Sequence, residues 1–232
     1  MDLIDFMLHD KTVVGEYEKI DAVNPYPSNH GMKHIYGFLD LIDRSKDAFE
    51  LSARDVLIVK TCAILHDLGQ TQGRKDHGVR SREFAEKYLP SKGVFSNEEL
   101  KEIYEAIEFH DEYQDYSKVP SRNAWIVNVV DKLDFSKHRL EDNYLERFKY
   151  SAYADIERLD FYKTETGLKI VIRKIEDPKI LTSELLFKYN LFAKGMNALR
   201  NFGWAYNFVP EVYLEDEKLD LDTIDTSVIF DK

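Results

Sequence analysis

The 232-residue sequence has little of three features that would point to particular classes of protein. It has one cysteine, Cys62, so an internal disulfide and a cysteine-based zinc ribbon are both excluded. Its net charge is −11, so it lacks the basic surplus that neutralises the phosphates of nucleic acid or of an anionic membrane. Its longest apolar stretch, residues 56–65, contains Lys60 and is far too short to span a bilayer.

The composition that remains is that of a folded protein. Hydrophobic residues make up 44% of the chain and charged residues 32%, which suits one sizeable domain with an appendage, or two small domains. The first ten residues carry three aspartates and lack a basic n-region, so we expect no signal peptide. We therefore expect a cytoplasmic protein that binds neither nucleic acid nor membrane.

The N-terminal half has the apolar spacing and the punctuation of successive helices. The pattern predicts helices from Ser28 towards Ile42, after the capping box Ser52-x-x-Asp55, over residues 77–88, after the capping box Ser96-x-x-Glu99, and after Pro120. Gly69 is expected to end the helix that follows the first capping box, which is apolar nearly all round and therefore central.

The C-terminal part changes character. Apolar residues alternate on both sides of a Glu-Thr-Gly turn, which predicts a β-hairpin over residues 159–174. A helix over about 183–202 and a strand over 208–214 are predicted to follow. The chain is thus expected to be mainly α and to have three parts: a helical domain over 1–142, a hairpin-plus-helix extension packed on it over 143–214, and an acidic mobile tail over 215–232.

Side chains that bind metals fall on the inward faces of the predicted helices. His34 lies on the apolar stripe of the first of them, and the doublet His66-Asp67 ends the most apolar one. Three more residues occupy inward positions: His77, His110 and Asp131. A buried imidazole or carboxylate is costly without a partner, so several of them on separate inward faces favour a shared divalent metal.

The order of these residues resembles the HD superfamily of metal-dependent phosphohydrolases, over roughly residues 28–140. The family signature is a histidine, a His-Asp doublet and a distant aspartate, which here are His34, His66-Asp67 and Asp131. The resemblance implies an HD-domain helical bundle in which these residues hold one metal ion. It also implies that two further histidines hold a second ion, with Asp67 bridging the pair: His77 and His110.

Two positions depart from particular branches of that family. Some branches have a second histidine directly after the position of His110, where this chain has Asp111. Gln70 stands where the cyclic-dinucleotide phosphodiesterases usually have lysine, which counts against such a substrate.

Further residues receive roles from the resemblance or from their charge. His30, four residues before the first predicted ligand, is expected to protonate the leaving group, with an exposed residue at a helix start as the alternative. Arg74, Lys75 and Lys132 are the cations expected to hold the phosphate of the substrate, with a solvated helix face as the alternative for each. Asp134 either orients a metal ligand or is a plain surface residue.

The resemblance implies a hydrolase, a phosphomonoesterase or phosphodiesterase, that acts on a nucleotide or other small phosphorylated metabolite through metal-activated water. One or two divalent ions are expected, with iron, manganese, zinc, nickel, cobalt and magnesium all open. Two other functions stay open: a di-iron oxygenase with the same ligand set, and a non-catalytic nucleotide sensor. The identity of the substrate and the formation of a homodimer are left open as well.

Overall fold

The computed structural model of the chain describes residues 2–23, 30–112, 115–135, 137–140, 152–187 and 190–224. The predicted helix start at Ser28 and the predicted domain boundary at 142 and 143 lie outside these residues. Within the described part, none of the helices combines the length and the apolar character that crossing a membrane requires.

The described residues are mainly α-helical, with a small four-stranded sheet in the C-terminal part, as the sequence predicted for the fold class. The helices are α1 (Leu3–His9), α2 (Lys11–Val23), α3 (Met32–Ser45), α4 (Ala53–Leu65), α5 (His77–Tyr88), α6 (Asn97–Glu108), α7 (Arg122–Leu133), α8 (Ser183–Phe187) and α9 (Asn190–Tyr206). The strands are β1 (Ile156–Lys163), β2 (Gly167–Lys174), β3 (Val209–Leu214) and β4 (Glu217–Leu219).

Both predicted capping boxes start helices. The Ser52 side chain accepts a hydrogen bond from the backbone N–H of Asp55, whose carboxylate accepts one from the backbone N–H of Ser52, at the start of α4. Ser96 and Glu99 exchange the same two bonds at the start of α6. These side chains satisfy N–H groups that the first turn of a helix leaves without a backbone partner.

Helix α3 begins later than the sequence predicted. Its N-cap is Gly31 and its first residue is Met32, so His30 lies before the helix and not one turn ahead of His34 on the same helical face. Both rings are nevertheless buried, and their centroids are 6.2 Å apart. The two histidines therefore converge through the bend that precedes α3, and the i, i+4 spacing is not the cause.

Gly69 does not end helix α4, contrary to the prediction. The helix stops at Leu65, His66 is its C-cap, and Gly69 lies in the short 3-10 helix Leu68–Gln72 that follows. Close packing requires glycine here, because a Cβ on Gly69 would lie 2.3 Å from the carbonyl oxygen of His77 at the start of α5. This approach brings the region after α4 against the start of α5.

The predicted hairpin is present as the antiparallel pair β1 and β2. In the region predicted as a helix over 183–202 the structure describes α8 and α9, and residues 188 and 189 lie outside the described part. Strand β3 lies parallel to β2, and the helices between them in the chain provide the long connection that parallel strands require. Strand β4, which was not predicted, pairs antiparallel with β3. The predicted mobile tail therefore begins too early at residue 215, and residues 225–232 lie outside the described part.

The C-terminal elements pack against the helices that precede them. Strand β1 lies against α3, and helix α9 lies against α7. The second contact is close, because a Cβ on Gly195 of α9 would lie 2.7 Å from the carbonyl oxygen of Lys132 on α7. Helix α9 therefore lies directly on the last turn of α7.

Gly69→Ala is expected to lower the free energy of unfolding by about 1–3 kcal/mol, because the added methyl group overlaps the His77 carbonyl and must push α5 away. Chemical denaturation followed by circular dichroism measures the change. Gly15→Ala is the matched control: among the described residues nothing lies within 4 Å of its Cβ position in α2, so alanine is expected to stabilise the helix by about 0.5–1 kcal/mol. Equal effects of the two substitutions would contradict the close packing at Gly69.

Candidate metal centre

Imidazole and carboxylate side chains meet where five helices begin or end. Each of them has at most 8% of its surface exposed. They are His34 in the first turn of α3, His66 at the C-cap of α4 with Asp67 next to it, His77 at the start of α5, His110 just after α6, and Asp131 in the last turn of α7. Because helix ends supply these groups, the bundle keeps an apolar interior while one region of it collects the polar side chains.

The first group consists of His34, His66, Asp67 and Asp131. His34 Nε2 lies 3.3 Å from His66 Nε2 and 3.1 Å from Asp131 Oδ1. Asp67 Oδ2 lies 3.3 Å from His66 Nε2. Ligands that are each about 2.1 Å from one ion lie roughly 3.0–3.4 Å from one another, so these atoms have the spacing of neighbours around a single metal.

The second group consists of His77, His110 and the same Asp67. The two imidazoles face each other with their Nε2 atoms 3.0 Å apart. Asp67 Oδ1 lies 3.2 Å from His77 Nε2 and 3.4 Å from His110 Nε2. One oxygen of the carboxylate thus faces each group, which is the arrangement that a ligand shared by two ions would need.

Hydrogen bonds at Nδ1 fix these imidazoles in one tautomer. The Nδ1–H groups of His66, His77 and His110 each donate to the carbonyl oxygen three residues earlier, at 2.7–2.8 Å. That of His34 donates to Asp134 Oδ2 at 2.6 Å, so Asp134 orients a candidate ligand and is no surface residue. Each Nε2 therefore carries a lone pair, and these lone pairs face one another. A divalent cation between them is what this donor set fits.

The carboxylates fit a cation as well. Asp131 Oδ1 is buried and accepts no hydrogen bond from the described residues. Burial raises the pKa of Asp67, yet the charge of His66 and hydrogen bonds from His110 and His30 outweigh burial and hold that pKa well below its usual range. Without a metal these effects come from protons on the ring nitrogens that face Asp67, and in an occupied site a cation would take the place of the protons on Nε2. Both aspartates therefore stay ionised in a buried place, where an uncompensated negative charge is costly.

His30 lies against the shared aspartate. Its Nδ1 is 3.3 Å from Asp67 Oδ2, and 5% of the residue is exposed. Burial lowers the pKa of His30 to about 4, and the neighbouring Asp67 opposes this only in part. The imidazole is therefore neutral at neutral pH, and the proton-donor role of His30 stays a prediction.

The three cations predicted to bind phosphate have different surroundings. Arg74 and Lys75 are exposed in the loop before α5, and their binding role stays a prediction. Lys132 is buried, and its Nζ donates to the carbonyl oxygen of His110 at 2.6 Å. The ammonium group of Lys132 is thus hydrogen-bonded inside the fold, and its role in binding phosphate stays a prediction.

Sequence reasoning missed Arg139. Its guanidinium group is buried, and its Nη1 lies 3.0 Å from the carbonyl oxygen of Asp134 and 3.2 Å from that of Asp131. The same nitrogen is 3.9 Å from Asp131 Oδ1. The only signal in the sequence was a basic residue eight positions after the last predicted ligand, and this does not identify a buried cation.

The segment that carries both groups of side chains matches a known protein family. Residues 31–136 match the family model of the HD domain, and this segment contains every residue of the two groups. The predicted HD-type fold is thereby confirmed, and HD domains bind divalent metals. No curated protein matches the chain. Among solved structures, it is similar to a predicted HD superfamily hydrolase from an uncultured Thermotogales bacterium, with 20% identity, a TM-score of 0.43, and coverage of 58% of this chain and 74% of that one.

Replacing the shared aspartate is expected to remove both metal ions, whereas replacing a ligand of one group removes one. After dialysis against Mn²⁺ and then against metal-free buffer, Asp67→Ala is expected to retain no ion and His110→Ala one ion for each chain, because His34 and His66 remain. Plasma mass spectrometry counts the metal. His9→Ala, at a side chain that is 72% exposed, is the control and should match the unmodified protein. Two ions retained by Asp67→Ala would show that the aspartate is not shared.

Proposed function

We propose that this protein is a metal-dependent phosphohydrolase that acts on a nucleotide or another small phosphorylated metabolite. His34, His66, Asp67 and Asp131 would hold one divalent ion, and Asp67, His77 and His110 would hold a second. The observation that carries the proposal is the pair of His/Asp groups that share the carboxylate of Asp67. The HD domain supports a metal-dependent hydrolase in general. That support does not extend to the cleavage of a phosphate ester or to the second ion, and both are part of the proposal.

A divalent metal supplies, when bound, a lower pKa for the water that it coordinates and positive charge beside a phosphoryl group. The side chains of the protein provide the ligands for such a metal. Four imidazoles are fixed with Nε2 lone pairs directed at the site, and two carboxylates stay ionised there. The site is buried, so the charges act on each other with little screening by solvent.

The balance of charge favours an anionic substrate. With the imidazoles neutral, the buried charges beside the first group are the carboxylates of Asp67, Asp131 and Asp134 and the guanidinium of Arg139. One divalent ion balances these groups, and a second ion leaves a positive surplus. A phosphate ester suits this surplus, whereas a neutral polyol does not.

Two arginines are assigned to the substrate phosphate in this proposal. Arg139 Nη1 lies 3.9 Å from Asp131 Oδ1. Burial, and then the charges of Arg139 and Arg74, lower the pKa of His30 beside Asp67. Both guanidinium groups are therefore close enough to the site to attract an anion, and guanidinium binds phosphate oxygens in a two-pronged geometry. His30 lies beside Asp67 and is assigned the role of proton donor to the leaving oxygen, for which the ring must also carry a proton at Nε2 because its Nδ1 faces the carboxylate.

A di-iron oxygenase is the second candidate, because the same imidazoles and carboxylates also suit two iron ions. The two functions differ in what they consume. Hydrolysis needs water and proceeds without oxygen, whereas the oxygenase needs dioxygen and iron.

Incubation with Mn²⁺ and a panel of nucleoside phosphates and sugar phosphates is expected to release inorganic phosphate, measured by a colorimetric assay under air and under argon. Asp67→Ala is expected to lower kcat by about 10³-fold or more, because metal stabilisation of the transition state amounts to several kcal/mol. His9→Ala is the control and should keep full activity. Turnover that requires iron and dioxygen would favour the oxygenase, and metal-loaded protein without turnover on any of the phosphates would contradict the proposal.

Arg139→Met is expected to lower kcat/KM for the phosphate ester by about 10²-fold with metal content unchanged, because one charged donor to the phosphoryl group is lost. Steady-state kinetics and metal analysis on the same sample measure the two quantities. Arg82→Met is the control, since Arg82 pairs with Glu86 and Glu108 and has no contact with the site. Equal kcat/KM values for the two variants would remove Arg139 from substrate binding.

A further inference from the structure

We propose that Asn128 and Lys132, two buried side chains on α7, are positioning residues that hold the backbone of His110 and so permit the second metal ion to bind. The inference rests on the two-ion form of the proposed function. It concerns groups that do not touch the metal, and it gives Lys132 a role other than phosphate binding.

The contacts of Asn128 converge on one short segment. Its side chain has no exposed surface, and its Nδ2 lies 3.1 Å from the carbonyl oxygen of Phe109, 2.8 Å from that of His110 and 2.9 Å from that of Glu112. The two N–H groups of a single amide thus serve three carbonyls within four residues, one N–H being shared between two of them. The segment that these bonds fix is the one that carries a candidate ligand.

Lys132 adds a charged donor to the same place. It follows Asn128 by one turn of α7, so the two side chains share a face of that helix. Its Nζ lies 2.6 Å from the carbonyl oxygen of His110, and this carbonyl therefore accepts from both side chains. A hydrogen bond from an ammonium group is about twice as strong as one between neutral groups.

The segment needs such support because it lies beyond the end of a helix. Helix α6 stops at Glu108 with Phe109 as its C-cap, and the last carbonyls of a helix have no partner within it. The Nδ1–H bond from His110 to Ile107 sets the direction of the ring, and one backbone bond, from the N–H of Glu112 to the carbonyl of Phe109 at 3.1 Å, spans the residues that follow α6. The side chains of α7 supply the donors that the helix itself does not provide.

Helix α7 therefore serves both groups at once. Asp131 lies between Asn128 and Lys132 in the sequence and faces the first group. Asn128 and Lys132 fix the position of His110 in the second group. Helix α9 covers the same turn, since a Cβ on Gly195 would lie 2.7 Å from the carbonyl oxygen of Lys132. The spacing of the two groups across Asp67 thus depends on one helix, which the C-terminal part of the chain holds in place.

A role in stability alone predicts a different result from a positioning role. Loss of general stability lowers the melting temperature and leaves the affinities of the folded protein for the two ions unchanged. Loss of positioning weakens the second ion selectively, because His34, His66 and Asp131 do not depend on the segment after α6. Groups that orient metal ligands typically change metal affinity by about 10- to 100-fold when they are replaced.

The test compares Asn128→Ala and Lys132→Met with the unmodified full-length protein. Each is stripped with a chelator and titrated with Mn²⁺ by calorimetry at a temperature where circular dichroism shows it folded. The unmodified protein is expected to bind two ions, and each variant is expected to bind the first ion normally and the second about 10- to 100-fold more weakly. Lys132→Arg keeps a charged donor and is expected to recover part of the loss.

Asn123→Ala is the matched control. Asn123 is also a buried asparagine on α7, but it lies in the first turn of the helix, five residues before Asn128. Its Nδ2 donates to Asp55 Oδ1 at 3.1 Å and to no carbonyl of the segment after α6 among the described residues. This variant is expected to lose stability and to bind both ions normally. A second ion that is weakened equally in Asn123→Ala would assign the effect to stability and overturn the inference.

The remaining outcomes separate the inference from the proposed function. Two ions bound normally by Asn128→Ala and Lys132→Met overturn the positioning role and leave the two-ion phosphohydrolase intact. A single ion in the unmodified protein overturns both. Should the cavity at the fully buried position 128 prevent folding, Lys132→Met and its arginine counterpart decide the question, because they change the ammonium donor and leave the asparagine in place.

Discussion

The carboxylate of Asp67, divided between two sets of imidazoles, is the contact on which the rest of the structure depends. A buried carboxylate that stays ionised costs several kcal/mol unless positive charge or donors surround it. Its oxygens instead face Nε2 atoms whose protons are held on the other side of each ring. Cations between these groups would balance the charge of the carboxylate and bind the Nε2 lone pairs. Without cations, the lone pairs and the carboxylate oxygens repel one another.

The fold meets this requirement through the ends of its helices. A helix end leaves carbonyl groups without backbone partners, and His66 and His110 use such carbonyls to fix their own tautomer. His77 uses the carbonyl of Arg74 in the loop before α5. Close approaches are then needed between segments that are distant in the chain. Gly69 permits one of them beside His77, and Gly195 permits another beside Lys132. The apolar core sets the positions of the helices, while these few contacts set the positions of the ligands.

Much of this was predictable from the sequence, and what was not predictable depends on tertiary contacts. The order and inward positions of the histidines and aspartates identified the HD-type fold and brought together the residues that the structure places in two groups. The capping boxes and the hairpin were predictable because their signals are local. The role of Gly69 was not, since its close contact is with another element, and neither was the burial of Arg139 beside Asp131. The parallel pairing of β3 also depends on contacts between elements that no local pattern encodes.

The most direct measurement of whether Asp67 is shared by two ions is anomalous X-ray diffraction from crystals grown with Mn²⁺. Two-metal sites hold their ions about 3.5–4 Å apart. Two anomalous peaks at that separation, one between His34 and His66 and the other between His77 and His110, with an oxygen of Asp67 on each, are the expected result. A single peak beside His66, with His77 and His110 bound to no metal, would contradict the shared carboxylate.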